Sequence, residues 1–176
     1  MWVALYKAIT AKLEEIGNDT GGSVFAYIDL DRKQIQNRDF PQHLLPIALI
    51  SFLNTPWEDT NQGHQEGELT FAIDAYFDGF GDSFQGAHDQ DQALEHLDIK
   101  DQLFYAFQHF SVENVSLTPF TRTGDQQIAT SRPNTFGYRM LFKGMVAQCL
   151  PDQHNQRPLE ENEISHIQMI QHGFPG

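Results

Sequence analysis

The chain has 176 residues, 40% of them hydrophobic and 14 of them phenylalanine, which is enough apolar material for a core and a composition that disordered chains lack. Acids outnumber bases 24 to 11, for a formal net charge of -13. The densest basic group, Arg32, Lys33 and Arg38, is flanked by Asp29, Asp31 and Asp39. Gripping a phosphate backbone takes clustered Lys and Arg, so direct nucleic-acid binding, sequence-specific or not, is not expected.

Cys149 is the single cysteine, so an internal disulfide is excluded and nothing points to an oxidising compartment. The start, Met1 to Lys7, lacks a basic region followed by an apolar run, and no stretch approaches the roughly 18 apolar residues of a membrane span. The expected setting is the cytoplasm, with no membrane partner. The expected layout is an α+β domain over residues 1–150 and a polar extension over 151–176.

In chain order, Trp2, Leu5, Ile9, Leu13 and Ile16 recur every three or four residues, which predicts an amphipathic helix over 2–16 stopped by Gly17-Asn18. Residues 24–30 alternate, with Val24, Ala26, Ile28 and Leu30 on one face and Phe25, Tyr27 and Asp29 on the other. After a polar segment, 31–43, Pro46 precedes Ile47 to Phe52, a second strand or short buried segment. Residues 56–67 are too polar for a core element and read as a long hairpin arm or loop.

The clearest strand follows: Leu69, Phe71, Ile73, Ala75 and Phe77 share one face, and Thr70, Ala72, Asp74 and Tyr76 share the other. A second helix is predicted over 91–110, its stripe made of Leu94, Leu97, Phe104 and Phe107 and widened by Leu103 and Phe110. Residues 114–119 read as extended chain with Val115 and Leu117 in phase, residues 121–127 as a protruding turn, and 135–146 as the last core strand. Beyond Pro151 only Ile164, Ile167 and Ile170 offer a short helix-like stripe, on a segment that either packs on the domain or orders on a neighbour. The fold class is therefore α+β: a mainly antiparallel sheet with two amphipathic helices on one face, a long hairpin arm and a C-terminal extension.

Residues with the types and spacing of a reaction centre are hard to find. Asp29 and Asp31, two apart on an apparent strand, would share a face and suit Mg²⁺, but Arg32 and Lys33 compensate them. Asp78, Asp82 and Asp89 around Gly79 and Gly81 miss the calcium-loop order, because the third position is Phe80 and the twelfth is Asp89. His88, Asp91 and His96 are near in sequence, yet His96 need not face the others. Cys149 sits among Met145, Val146, Ala147 and Leu150, company that predicts burial and supplies no activating base. No P-loop, dinucleotide fingerprint or nucleophile elbow occurs, and no cofactor is expected.

Three stretches carry a resemblance. The opening helix of residues 1–16 is followed by Pro46-Ile47-Ala48-Leu49-Ile50. The strand from Glu68 to Tyr76 then leads into the helix around Ala93 to Phe110. Last, Val115 to Pro119 is separated by a polar turn from a terminal strand at Phe136 to Val146. In element order and patterning, residues 1–147 resemble the tail-terminator and tail-completion proteins of long-tailed bacteriophages and prophages, which are related in fold to other head–tail joining proteins. The resemblance implies a self-associating structural subunit with no catalytic residues. It implies a ring, commonly hexameric, that caps the tail tube and meets the head connector, assembled in the bacterial cytoplasm and retained in the virion tail or neck.

No signature fixes that family's contact residues, so candidates follow from physical role: Trp57, Asp59, His64 and Glu66 on the arm, Arg122, Asp125 and Gln127 on the turn, and Arg157, Ile164, Ile167 and Ile170 on the tail. The tail lies outside the family pattern, which leaves room for a neighbouring role in the neck or baseplate. Two other readings stand beside this one: a generic protein-binding adaptor, and a metal-dependent enzyme using Asp29/Asp31 or His88/His96.

Overall fold

The computed structural model describes residues 1–149 except 18–20, 38, 62, 80–83, 89 and 133. Among them, six strands form one mixed, mainly antiparallel sheet, and two helices pack on one of its faces: an α+β fold. The strands are β1 (Tyr27–Leu30), β2 (Ile47–Phe52), β3 (Trp57–Asn61), β4 (His64–Asp78), β5 (Thr121–Ile128) and β6 (Thr135–Cys149). The order is β1-β2-β4-β6-β5, with β3 pairing to β4 beyond the end of β2. Only β1 and β2 run parallel.

Helix α1 (Trp2–Glu14) buries Leu5, Ile9 and Leu13 against the sheet, and Ile16 follows them in just past its end. Trp2 does not complete that stripe; it is 39% exposed. Helix α2 (Gln90–Phe107) buries Ile99, Leu103 and Phe107. The expected stripe was therefore misphased at Leu97, which is exposed. Several phases of an apolar-rich helix look alike until the sheet selects one.

Leu69, Phe71, Ile73, Ala75 and Phe77 of β4 meet Met140, Phe142 and Val146 of β6 on the helix-covered face. Gly144 leaves room for the Phe120 ring, which would stand 2.9 Å from an added Cβ. The first strand is shorter than its alternation suggested, and Phe25, outside it, is buried with the main core while Leu30 is exposed.

The opposite face is covered too, which the sequence did not foretell. The polar segment after β1 folds through two short 3₁₀ turns (Gln34–Gln36 and Gln42–Leu44) and lays Ile35, Phe40, Leu44 and Leu45 over Ile47, Leu49 and Tyr76. The Arg132 guanidinium ties this cover down, donating to the carbonyls of Asn37 and Phe40 and lying 5.5 Å from the Phe40 ring centroid.

Two expectations are corrected outright. Residues 121–127 are not a turn but most of edge strand β5, whose polar sequence is held by backbone pairing to β6 with a bulge between Arg122 and Gly124. Residues 114–119 are mainly a turn with one isolated bridge, Ser116 to Val146, in which Val115 is buried and Leu117 exposed. The 56–67 segment does form a hairpin arm, β3 folded back on the start of β4. Gly67 lets Thr55, Pro56 and Trp57 press against it, since an added Cβ would lie within 2.9 Å of all three.

Candidate functional site

An apolar groove of about 670 Å³ lies where α1 and β3 begin and β1 and β2 end. Trp2, Val3 and Tyr6 form one wall, and Leu30, Phe52, Leu53 and Trp57 line the rest. The Trp2 ring stacks obliquely on Phe52 at 5.3 Å and meets Trp57 edge-on at 6.4 Å. Val3 is 67% exposed, so the groove is open to solvent on that side. Its lining is aromatic and aliphatic, with Asn54 and Thr55 at the rim. Such a surface binds apolar side chains, and its polar side-chain groups include the Tyr6 and Thr55 hydroxyls and the Asn54 amide.

On the other face, Asp74 is the one buried charged residue among those described. Arg139, directly opposite on β6, grips its carboxylate with two hydrogen bonds of 2.7 and 2.6 Å. Burial, then the Asp74 and Asp31 carboxylates, push the neighbouring Tyr76 hydroxyl up to about 12, so it stays protonated. This is a closed, satisfied network under the 31–46 cover, arranged to hold strands together.

Asp29 and Asp31 each have their own cation. Asp29 accepts from Tyr27, Arg32 and the Leu30 backbone N–H. Asp31 accepts from the Lys33 ammonium at 2.6 Å, the Lys33 backbone N–H at 2.8 Å and the Ser51 hydroxyl. Burial alone would raise the Asp31 carboxyl, but these donors outweigh it and hold it below the ordinary 3.8. It therefore binds a proton less readily folded than unfolded. The stability it contributes is present above that ordinary value and is lost as pH falls through its lowered folded value. Asp31→Asn is expected to flatten the acid limb of a stability-versus-pH curve; an unchanged limb would show that Asp31 does not contribute.

His96 is packed between aromatic rings, 4.5 Å from Phe136 and stacked at 5.6 Å on Tyr138, whose hydroxyl lies 3.3 Å from Nε2. His88 is exposed before α2. Among the described residues no group of three or more His, Cys, Asp or Glu side chains is placed to hold a metal ion. Part of the calcium-loop candidate, Asp82 and Asp89, lies outside the described residues.

Cys149 is a correction: it is exposed, and its Sγ lies 2.9 Å from Nδ1 of His64 at the tip of the arm. Its apolar neighbours in sequence alternate between the two faces of β6, which ends beside the arm tip instead of in the core.

The arm candidates occupy both faces. Trp57 forms part of the groove, and Asp59 accepts a hydrogen bond from the Gln65 side chain at 2.6 Å. Glu66 stands directly opposite Glu58, an acidic pair on an acidic arm. Arg122, Asp125 and Gln127 of β5 stand opposite Phe142, Met140 and Tyr138, on the face that α2 covers. The Arg122 guanidinium lies 4.1 Å from the Phe104 ring centroid, and Asp125 pairs with Lys100 at 2.6 Å. These charged ends fasten α2 to the sheet edge. Arg157, Ile164, Ile167 and Ile170 lie outside the described residues.

The groove was not foreseen from the sequence, because its walls come from three separated stretches, although Trp2 at the unburied end of a stripe was a signal. Nor was the Asp74–Arg139 pair foreseen, whose signal was an acid among the apolar residues 69–77 of β4 and a base among those of β6.

No protein-family profile matches the chain, and no curated protein matches it. Among solved structures, it is similar to a chain of the "Virion of native gene transfer agent (GTA) particle". The TM-score is 0.42 at 13% identity, over 83% of this chain and 93% of that one. No helix among the described residues is long and apolar enough to cross a membrane.

Proposed function

We propose that the chain is a structural subunit of a phage-like particle: a ring-forming tail-terminator or neck protein that caps the tail tube and contacts the head connector. The observation that carries the reading is where the unspent surface lies. The polar networks are internally satisfied, while the open apolar groove and the projecting acidic arm are at one end of the sheet. A subunit of a closed ring needs two unlike surfaces, one given and one received, and an arm beside a groove supplies that kind of pair. The succession of α1, β2, β4, α2 and β6 supports the reading in the parts of the pattern those elements carry, whereas the stretch from Val115 to Ile128 departs from it. Assembly belongs to the bacterial cytoplasm and the finished subunit to the tail or neck of the particle.

Native mass spectrometry with negative-stain imaging at high protein concentration tests this. The expected result is a closed ring of fixed subunit number, hexameric in the form the resemblance implies. A chain that stays monomeric at every accessible concentration, including in the presence of tail tubes, would instead favour an adaptor domain that uses the groove for a foreign partner.

A further inference from the structure

The groove and the C-terminal segment have complementary needs. The groove wall leaves Val3, Leu30, Leu53 and Trp2 between 39% and 67% exposed. The segment beyond β6 carries Ile164, Ile167 and Ile170 at three-residue spacing, which a helix formed on docking would gather on one side. We propose that this segment docks in cis, seating those three isoleucines in the groove of its own chain.

Reach supports the match. Cys149, where β6 ends, pairs in register with His64, while Trp57 pairs with Gly67 on the same strand β4. The end of β6 and the groove are therefore separated by about 10 Å along the strands and about 10 Å across two strand spacings. Fourteen residues, 150–163, connect Cys149 to Ile164. A flexible chain of that length spans roughly 20 Å on root-mean-square average and roughly 50 Å fully extended. A linker whose mean span matches the gap gives the tethered segment an effective concentration in the millimolar range, which favours the chain's own segment over a neighbour's.

Charge runs the same way. Glu160, Glu161 and Glu163 immediately precede the isoleucines, and the exposed Lys7 lies one helical turn beyond Val3 on the groove-side wall of α1. Docking would cover apolar surface that a free subunit otherwise shows to water, and it describes the free subunit: a neighbour's arm entering the groove in a ring would displace the segment.

The test uses the full chain and a built-in reporter, since Trp2 and Trp57 are its only two tryptophans and both line the groove. The triple variant Ile164→Asp, Ile167→Asp, Ile170→Asp alters only the segment, so the body keeps its fold. The expected result is a red shift of tryptophan emission, easier quenching by acrylamide, and loss of amide-exchange protection over 160–172. In the unaltered chain that protection is expected in the monomer and to be the same at every concentration below ring assembly. Val3→Glu, on the exposed groove rim, is expected to abolish the same protection from the other side. Unprotected amides over 160–172, or emission indifferent to the triple variant, would overturn the proposal. Protection that appears only as copies associate would also overturn it, by placing a neighbour's segment in the groove. A monomer with a protected segment would uphold docking while counting against the ring, so the two readings fail separately.

Discussion

Replacing Phe71 with alanine is expected to lower the unfolding free energy by about 3–5 kcal/mol, the range for removing a fully buried aromatic ring. Phe71 is fully buried on β4, and its ring is where separate parts of the chain converge. It meets Phe107 of α2 at 6.0 Å, Phe120 ahead of β5 at 5.0 Å and Phe142 of β6 at 5.3 Å, the last nearly parallel. Four elements would face one void, and rings this close have little freedom to collapse into it. Urea unfolding followed by circular dichroism reads the effect as a lower midpoint at unchanged slope. The control is Tyr105→Ala, at a ring 74% exposed, which is expected to change stability by no more than about 0.5 kcal/mol. A Phe71→Ala loss as small as the control's would mean that the aromatic cluster is not the centre of the core.

The second large effect is expected on the opposite face. Arg139→Met removes the guanidinium that holds a carboxylate, 1% exposed, with two short hydrogen bonds. Breaking a buried pair from one side typically costs about 3–5 kcal/mol, because the remaining charge is left without compensation. Replacing both residues by apolar ones, Asp74→Leu with Arg139→Met, is expected to cost much less than the sum of the single changes, since no charge is then stranded. The double-mutant cycle measures this coupling directly. Additive losses would mean that Asp74 and Arg139 act independently, which the bidentate geometry contradicts. The pair's contribution is to alignment: it joins β4 and β6 at one register, and a slip of one strand by one residue would put the two charges on opposite faces of the sheet.

Much of the body was legible. Strand β4 announces itself because five apolar residues from Leu69 to Phe77 repeat with period two, and β6 does so for the same reason. Helix α1 is legible because one face of it must be apolar from Leu5 to Ile16. What failed has a common physical cause. Strand β5 reads Thr-Arg-Thr-Gly-Asp-Gln-Gln-Ile, with almost nothing to bury, and exists because β6 offers a backbone edge and α2 offers Lys100 and the Phe104 ring. The cover over the second face depends on Ile35 and Phe40, single apolar residues in polar company that show no period. Cys149 was misjudged because its neighbours' hydrophobicity was credited to one environment, whereas a strand divides it between two. The groove has no local signature, because Trp2, Leu30, Leu53 and Trp57 become neighbours only once α1 is laid across the strand ends.

The pairing of β4 with β6 runs from His64–Cys149 to Asp78–Thr135 through fifteen consecutive partners without a shift in register. The two strands make a strut about 50 Å long, rooted in the aromatic core from Leu69 to Phe77 and forming the arm from His64 to Gly67. A load along such a strut is shared by the ladder in shear instead of parting its bonds one at a time. A push on the arm tip therefore reaches Phe71 and its ring of partners without meeting a hinge.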